Sequence, residues 1–343
     1  MGVLISDIIP RKEIEFDDLK GKTIAIDAFN ILYQFLTTIR QPDGTPLMDN
    51  RGNITSHLSG LFYRNISLLE EGIFPVYVFD GKAPEMKKRE LERRKKLKME
   101  AEEKHRKAEE RGDVEAMRKY AAQSVRIMDS VIEESQELLS YMGIPVIQAE
   151  GEGEAEATSM ACAGVVWAVS SQDYDTLLYG APRLVRNLTL SRRRRLNSGV
   201  YVDVNIELVE FESVLNQLQI DRDQLICLGI LVGTDYNPGG VRGIGQRRAL
   251  EIVQRYKYPF EIFKHIEKDP RFEMDFDWRE IFEHFRSYKA SVGKRIPKAN
   301  FDSDSLRAFL LKRDFSSSRV DSGIERLRRV FEEKKQKGLS DFF

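Results

Sequence analysis

Seven acidic side chains stand where the chain changes character: Asp27, Asp80, Glu152, Glu154, Asp173, Asp175 and Asp235. Most follow apolar runs that read as β-strands. KTIAI runs into Asp27, PVYVF into Asp80, IPVI leads to the Glu150–Glu154 turn, and VVWAVS delivers Asp173 and Asp175. In an open α/β sheet such strand ends converge on one edge, where ligands bind. Carboxylates gathered there repel one another unless cations neutralise them. Oxygen-only ligation favours Mg²⁺ or Mn²⁺ over zinc. The four His and two Cys are too few and too scattered for a zinc site. Each acid also has a plainer reading. Asp27 could cap the helix after it, Asp173 and Asp175 could sit on a solvated loop, and the Glu-rich turn could complement a helix dipole. Four strand exits that all end in acid favour the joint reading.

Four basic or aromatic features accompany the acids. In residues 87–98, eight of twelve are Lys or Arg. Lys87, Leu91, Arg94 and Lys98 share a helical face. A salt-bridged, solvated helix would explain the run, but it starts seven residues after Asp80. Cations so placed can hold a phosphate beside metals. Next, a helix–GxG–helix stretch at 225–256 carries Arg242, Gly243, Gly245, Arg247 and Arg248. Backbone N–H groups at such a turn bind phosphate without reading bases, as a duplex clamp would. Finally, the C-terminus QKGLSDFF sets two aromatics after a charged, Gly-broken helix. Such groups suit docking to a partner, or folding back on their own domain. Tyr33 can stack on a base, although periodicity alone favours the core.

The elements that must position these groups follow from pattern and punctuation. The expected helices are Phe29 to about 40, 54–71, 155–163, 222–232 and 246–256, with charged helix continuing to about 335. Leu58, Leu61, Phe62, Ile66 and Leu69 form one apolar face of the second. Residues 82–130 read as a helical insertion, dense in Glu, Lys, Arg and Ala, with Asp113 as an N-cap inside it. Residues 183–188 and 200–204 read as strands flanking a basic turn, Arg192–Arg195. Strand signals fade from about Glu207. The chain therefore reads as α/β: an α/β core at 1–215, a helical region at 216–330 and a tail at 331–343. At 343 residues, with 41% hydrophobic and 32% charged residues, it suits a soluble globular protein. The net charge of −1 does not announce a polyanion partner. Segregated acidic and basic patches still allow one. There is no signal peptide, no apolar stretch of membrane-spanning length, and no disulfide framework, so a reducing compartment is expected.

The segments IAIDAFNILYQFL, PVYVFDGKAPEMKKRELERR, AEGEGEAEAT, SQDYDTLLYG, GTDYNPGGVRGIG and QKGLSDFF occur in this order along nearly the whole chain. In them the chain resembles the flap endonucleases, structure-specific 5′-nucleases of replication and repair. The resemblance implies a PIN-like core: a twisted, mostly parallel sheet flanked by helices, with a helical arch insertion and a helix-turn-helix-type DNA-binding region. It implies that the seven acids hold two Mg²⁺, which Mn²⁺ can replace. Glu150 and Glu156 are extra acids; Glu154 is preferred because it lies 19 residues before Asp173. Lys87 and Arg94 would contact the scissile phosphate, Tyr33 the nucleotide at the cleavage point, and Arg40 and Arg186 the DNA near the site. The Gly243 turn, with Arg242, Gly245, Arg247 and Arg248, would hold duplex, with a K⁺ ion. Gln336, Leu339, Phe342 and Phe343 would anchor a sliding clamp. The protein would be a monomer acting on branched 5′-flap DNA, with no membrane partner and a 5′–3′ exonuclease side activity. The chain stops at Phe343 where eukaryotic relatives carry a basic extension, so the resemblance is to the archaeal form. The setting would be intracellular and DNA-associated, cytoplasmic if archaeal and nuclear if eukaryotic. The alternatives are a related 5′ exonuclease or Holliday-junction resolvase, and a non-catalytic scaffold for DNA and clamp.

Overall fold

A computed structural model describes the chain except for residues 1, 42–43, 83, 112, 114–115, 117–119, 121–124, 126, 190–192, 196–200, 289–294 and 341–343. The strands are β1 (Lys12–Ile14), β2 (Thr23–Asp27), β3 (Phe74–Phe79), β4 (Val146–Gln148), β5 (Ala168–Ser170), β6 (Arg183–Arg186), β7 (Arg193–Arg195), β8 (Tyr201–Asp203) and β9 (Ile206–Glu210). Seven form one sheet in the order β1-β9-β6-β5-β2-β3-β4, and β7 with β8 makes a separate ribbon. β2 lies parallel to β3 and β5, β3 to β4, and β5 to β6. Within this sheet β9 alone runs against the rest, antiparallel to both β6 and β1. This is the mostly parallel sheet expected, and it fixes the site. Asp27 pairs with Val78, and Ile26 with Ser170. The chain leaves these neighbouring strands at a common edge, at Asp27, Asp80 and Ser171.

Parallel strands buried on both faces need apolar cover on both sides. Ile24 and Ile26 join a core with helices Ala28–Thr38, Ser56–Glu70 and Asp129–Tyr141. All five apolar residues read onto one face of the second helix are buried. On the opposite face, Ala25, Val76, Val78 and Val169 meet Ala157 and Met160 of helix Gly153–Cys162. A third core holds helices Arg222–Val232, Gln246–Tyr256, Pro259–Lys268 and Trp278–Ser287 together with Leu184 and Val209 of the sheet. The last helices, Ser303–Leu311 and Ser317–Ser340, return to the first core through Leu306, Phe309, Val320 and Leu327.

Several expectations need correction. Arg193–Arg195 form a strand paired with Tyr201–Asp203, where a basic turn was expected. An arginine run has weak strand propensity, and the pairing supplies the order. β1 and β9 are strands although the sequence carries little strand signal there, because KEI and IELVE are short and half polar. Helices Asp175–Tyr179 and Phe211–Leu218 were likewise not anticipated. The last helix continues through Gly338 rather than breaking there; one glycine costs about 1 kcal/mol, too little to end a long helix. The basic run forms a helix, Lys88–Glu110, as expected. Asp113 accepts a hydrogen bond from Ala116 N–H at 3.0 Å, as a cap would. Much of 112–126 lies outside the described residues. Among the described residues no helix is long and apolar enough to cross a membrane.

Candidate metal centre and its cationic helix

Asp27 does both things its sequence position allowed. It caps helix Ala28–Thr38, accepting from Asn30 N–H at 3.1 Å, and its other oxygen accepts from Ser171 Oγ at 3.3 Å. The cap aims the carboxylate along the sheet edge, so capping and membership of the acidic cluster are compatible. Asp80, one residue past β3, accepts from Gly153 N–H at 2.7 Å. A Cβ on Gly153 would lie 2.8 Å from that same Asp80 oxygen, so only glycine lets the helix N-terminus approach. That helix places Glu152 at its N-cap and Glu154 in its first turn. Glu150 is exposed, whereas Glu156 is buried one turn further along.

Asp173 and Asp175 follow β5 and are tied down from unexpected directions. Asn30 Nδ2 donates to Asp173 at 3.1 Å. Gly2 N–H donates to Asp173 at 3.0 Å, and Val3 N–H to Asp175 at 2.7 Å. Asp235 sits on the turn after helix Arg222–Val232. Asn237 holds that turn, accepting from Thr234 N–H at 3.1 Å and donating to Ile230 O at 2.7 Å.

The electrostatics are those of a crowded acidic cluster. Burial, then the charges of Asp80 and Asp173, pushes Asp27 up to about 7. Burial, then Asp235 and Asp173, does the same to Asp175. Burial with Asp27, Asp175 and Asp173 raises Glu154 well above the usual carboxylate range. Asp80 is raised by burial, with Glu152 and Asp235 adding to it. Such shifts mark a site short of positive charge. No three acidic, His or Cys side chains among the described residues are drawn together tightly enough to grip one ion. The seven acids are gathered within electrostatic range but not closed to ligating distance, as unneutralised carboxylates should be. An all-oxygen, cation-deficient edge fits a hard divalent ion.

Two cations from the basic stretch reach the cluster. Lys87 Nζ contacts Glu152 and lies 3.2 Å from Asp235. Arg94 pairs with Asp235. Burial would lower the Lys87 pKa, but Glu152 and Asp235 outweigh it and hold the ammonium protonated. The structure thus brings the seven acids, Lys87 and Arg94 to one place. Tyr33 is 39% exposed, against the core reading, with Lys98 Nζ 5.6 Å from its ring centroid.

Other predicted residues make their bonds to groups outside the seven acids. Arg186 donates to Glu207 at 2.8 Å and to Tyr174 Oη at 2.6 Å, which buttresses the sheet. Arg40 donates to Leu36 O at 3.0 Å and Gly44 O at 2.7 Å, closing its own loop. Gly243 adopts φ 85°, and Gly245 caps helix Gln246–Tyr256, with Arg242, Arg247 and Arg248 exposed around it. Gln336 and Leu339 fall within the last helix; Phe342 and Phe343 lie outside the described residues. Sequence reasoning missed Gly2, Val3, Asn30, Tyr179, Tyr236 and His284. Only the AFN step after Asp27, where Asn30 falls three residues on, offered a local signal.

The sequence profile of the XPG N-terminal domain matches residues 3–101, and that of the XPG I-region matches residues 143–235. Flap endonuclease 1 of Pyrococcus furiosus is 52% identical over 345 residues, covering 100% of this chain and 99% of its own. The structure of flap endonuclease-1 from Methanococcus jannaschii matches with a TM-score of 0.76 at 41% identity, covering 97% of this chain and 100% of that one. The Holliday junction-resolving enzyme GEN1, in complex with product DNA, Mg²⁺ and Mn²⁺ ions, gives a TM-score of 0.59 at 17% identity, covering 93% of this chain and 75% of that one. That last likeness is one of fold. With half its residues shared along the full length of such a relative, and the matching sheet presenting acids at one edge, the chain belongs to the flap endonuclease family.

Proposed function

We propose that this protein hydrolyses a phosphodiester of 5′-flap DNA near the junction of single strand and duplex, in replication and repair. The observation that carries the reading is the buried acidic edge crossed by Lys87 and Arg94. Asp27, Asp80, Glu152, Glu154, Asp173, Asp175 and Asp235 would hold two Mg²⁺, or Mn²⁺, directly or through water. When bound, such ions would activate a water and stabilise the leaving oxygen. The chain's own part is positioning and charge. Lys87 is buried enough to act at low dielectric and Arg94 is more open, and both would turn from Glu152 and Asp235 toward the phosphate of an entering strand. Tyr33, exposed beside Lys98, would stack on the nucleotide at the cut.

Arg242, Arg247 and Arg248 around the Gly243 turn would hold duplex by its phosphates, without sequence preference and with strong salt dependence. A K⁺ ion at that turn belongs to the same reading. Helix Lys88–Glu110 would form one side of the arch. The protein would act as a monomer, and residues 336–343 would dock to a sliding clamp. Arg40 and Arg186 would contact the DNA near the site. The resolvase alternative is weaker, because its example shares 17% identity against 52% for the flap endonuclease relative.

The test is cleavage of an end-labelled 5′-flap duplex beside a Holliday junction and a blunt duplex. Cutting near the flap base, with little on the controls, is expected. Preference for the four-way junction would move the assignment to the resolvase, and binding without cutting would move it to the scaffold.

A further inference from the structure

Glu152 differs from the other acids in what lies behind it. Tyr179 Oη donates to Glu152 Oε2 at 2.6 Å, and Tyr236 Oη donates to the same oxygen. The two phenol oxygens are 2.9 Å apart. His284 Nε2 is 3.0 Å from Tyr179 Oη and 3.9 Å from Glu152 Oε2. With both phenol protons committed to the carboxylate, the Tyr179 oxygen has only lone pairs left, so His284 Nε2 must carry the hydrogen and donate. The cluster is packed as well as bonded. The Tyr236 and His284 ring centroids are 4.5 Å apart, and the Phe285 ring, tilted by 56°, lies 4.8 Å from that of Tyr179. Both phenol donors lie on Oε2, while Oε1 accepts from Lys87.

We propose that Tyr179, Tyr236 and His284 are positioning residues that clamp one oxygen of Glu152, so that its other oxygen alone faces Lys87 and the metals. Through His284 the clamp ties helix Trp278–Ser287 to the nuclease edge. The helical region thereby sets the geometry of a ligand that the sheet end alone leaves free to rotate. This rests on the two-metal reading above and adds residues outside the seven acids. Outer partners that orient a metal-ligating carboxylate typically change metal affinity by about 10- to 100-fold when removed.

The experiment measures Mn²⁺ binding to the metal-stripped full-length protein without DNA, by electron paramagnetic resonance. The proteins are wild type, Tyr236→Phe, His284→Leu and His284→Gln. Loosening the clamp should weaken Mn²⁺ binding about tenfold in Tyr236→Phe and His284→Leu. His284→Gln keeps an N–H donor and should remain within about twofold of wild type. His284 is partly exposed, so its variants should fold even if loss of the Tyr236 hydroxyl proves disruptive. Lowered melting temperatures with unchanged Mn²⁺ affinity would reduce the cluster to packing and overturn the proposal. Equal loss in His284→Leu and His284→Gln would also overturn it. If wild type cuts the flap with Mn²⁺ while these variants bind the ion normally, only the clamp has failed. Failure of wild type to bind Mn²⁺ would sink the metal reading beneath it.

Discussion

Replacing Lys87 by Met keeps the aliphatic stem and removes the ammonium. In the structure the Lys87 side chain is 16% exposed, and its ammonium bridges Glu152 and Asp235, whose side chains are 9% and 13% exposed. Removing one partner of a buried ion pair costs about 3–5 kcal/mol, because the other charge is left uncompensated. The lower end applies here, since Asp235 keeps Arg94 and Glu152 keeps its phenol donors. About 3 kcal/mol corresponds to roughly 4 °C for a chain of this size. A divalent ion would supply the missing charge, so the loss should appear in chelator and largely vanish in saturating Mg²⁺. Differential scanning fluorimetry of both proteins with EDTA and with Mg²⁺ reads this directly. Cleavage should behave in the opposite way: with Mg²⁺ saturating, single-turnover flap cutting should fall about 10²- to 10³-fold, the usual loss for one transition-state charge contact. An equal drop in melting temperature with and without Mg²⁺ would show that Lys87 is a packing residue, and the reasoning would be wrong.

Other outcomes follow from the same geometry. Asp175→Ala should abolish cleavage while flap affinity, measured by fluorescence anisotropy in Ca²⁺, stays within a few-fold of wild type; joint loss of both would mean Asp175 serves only to anchor Val3. Arg247→Ala should weaken flap and duplex binding alike and lower the slope of log affinity against log salt by about one, as expected for one lost phosphate contact. Deleting residues 336–343 should leave cleavage of free flaps unchanged but remove stimulation by a sliding clamp; stimulation that persists would exclude the tail as the docking element.

The legible part of this protein is the part written in local pattern. β2 and β3 are short, mostly apolar runs that lead into Asp27 and Asp80, so strand, edge and acid could be read together. Helix Ser56–Glu70 was readable because its buried face repeats at helical spacing. The unreadable parts depend on partners distant in sequence. IELVE becomes a strand because β6 and β1 flank it, not because of its own composition. Arg186 and Arg40 also hydrogen-bond to Glu207 and to Gly44 O, partners with no signal in the sequence. Tyr179, Tyr236 and His284 lie on three separate elements, and no spacing rule joins them. The N–H groups of Gly2 and Val3 carry no side-chain signal at all. Membership of the acid cluster could be inferred because like charges at strand exits need a common explanation. The direction from which each acid is held could not.

The central claim is that the acidic edge cuts flap DNA with divalent metal. Its most direct test is single-turnover cleavage of an end-labelled 5′ flap across a Mg²⁺ titration, with a chelator arm and a Ca²⁺ arm. The account predicts no cutting in chelator, binding without cutting in Ca²⁺, and a rate that rises more steeply than first order at low Mg²⁺, with incision near the flap base. Cutting that persists in chelator, or a flap left intact at saturating Mg²⁺, would contradict it.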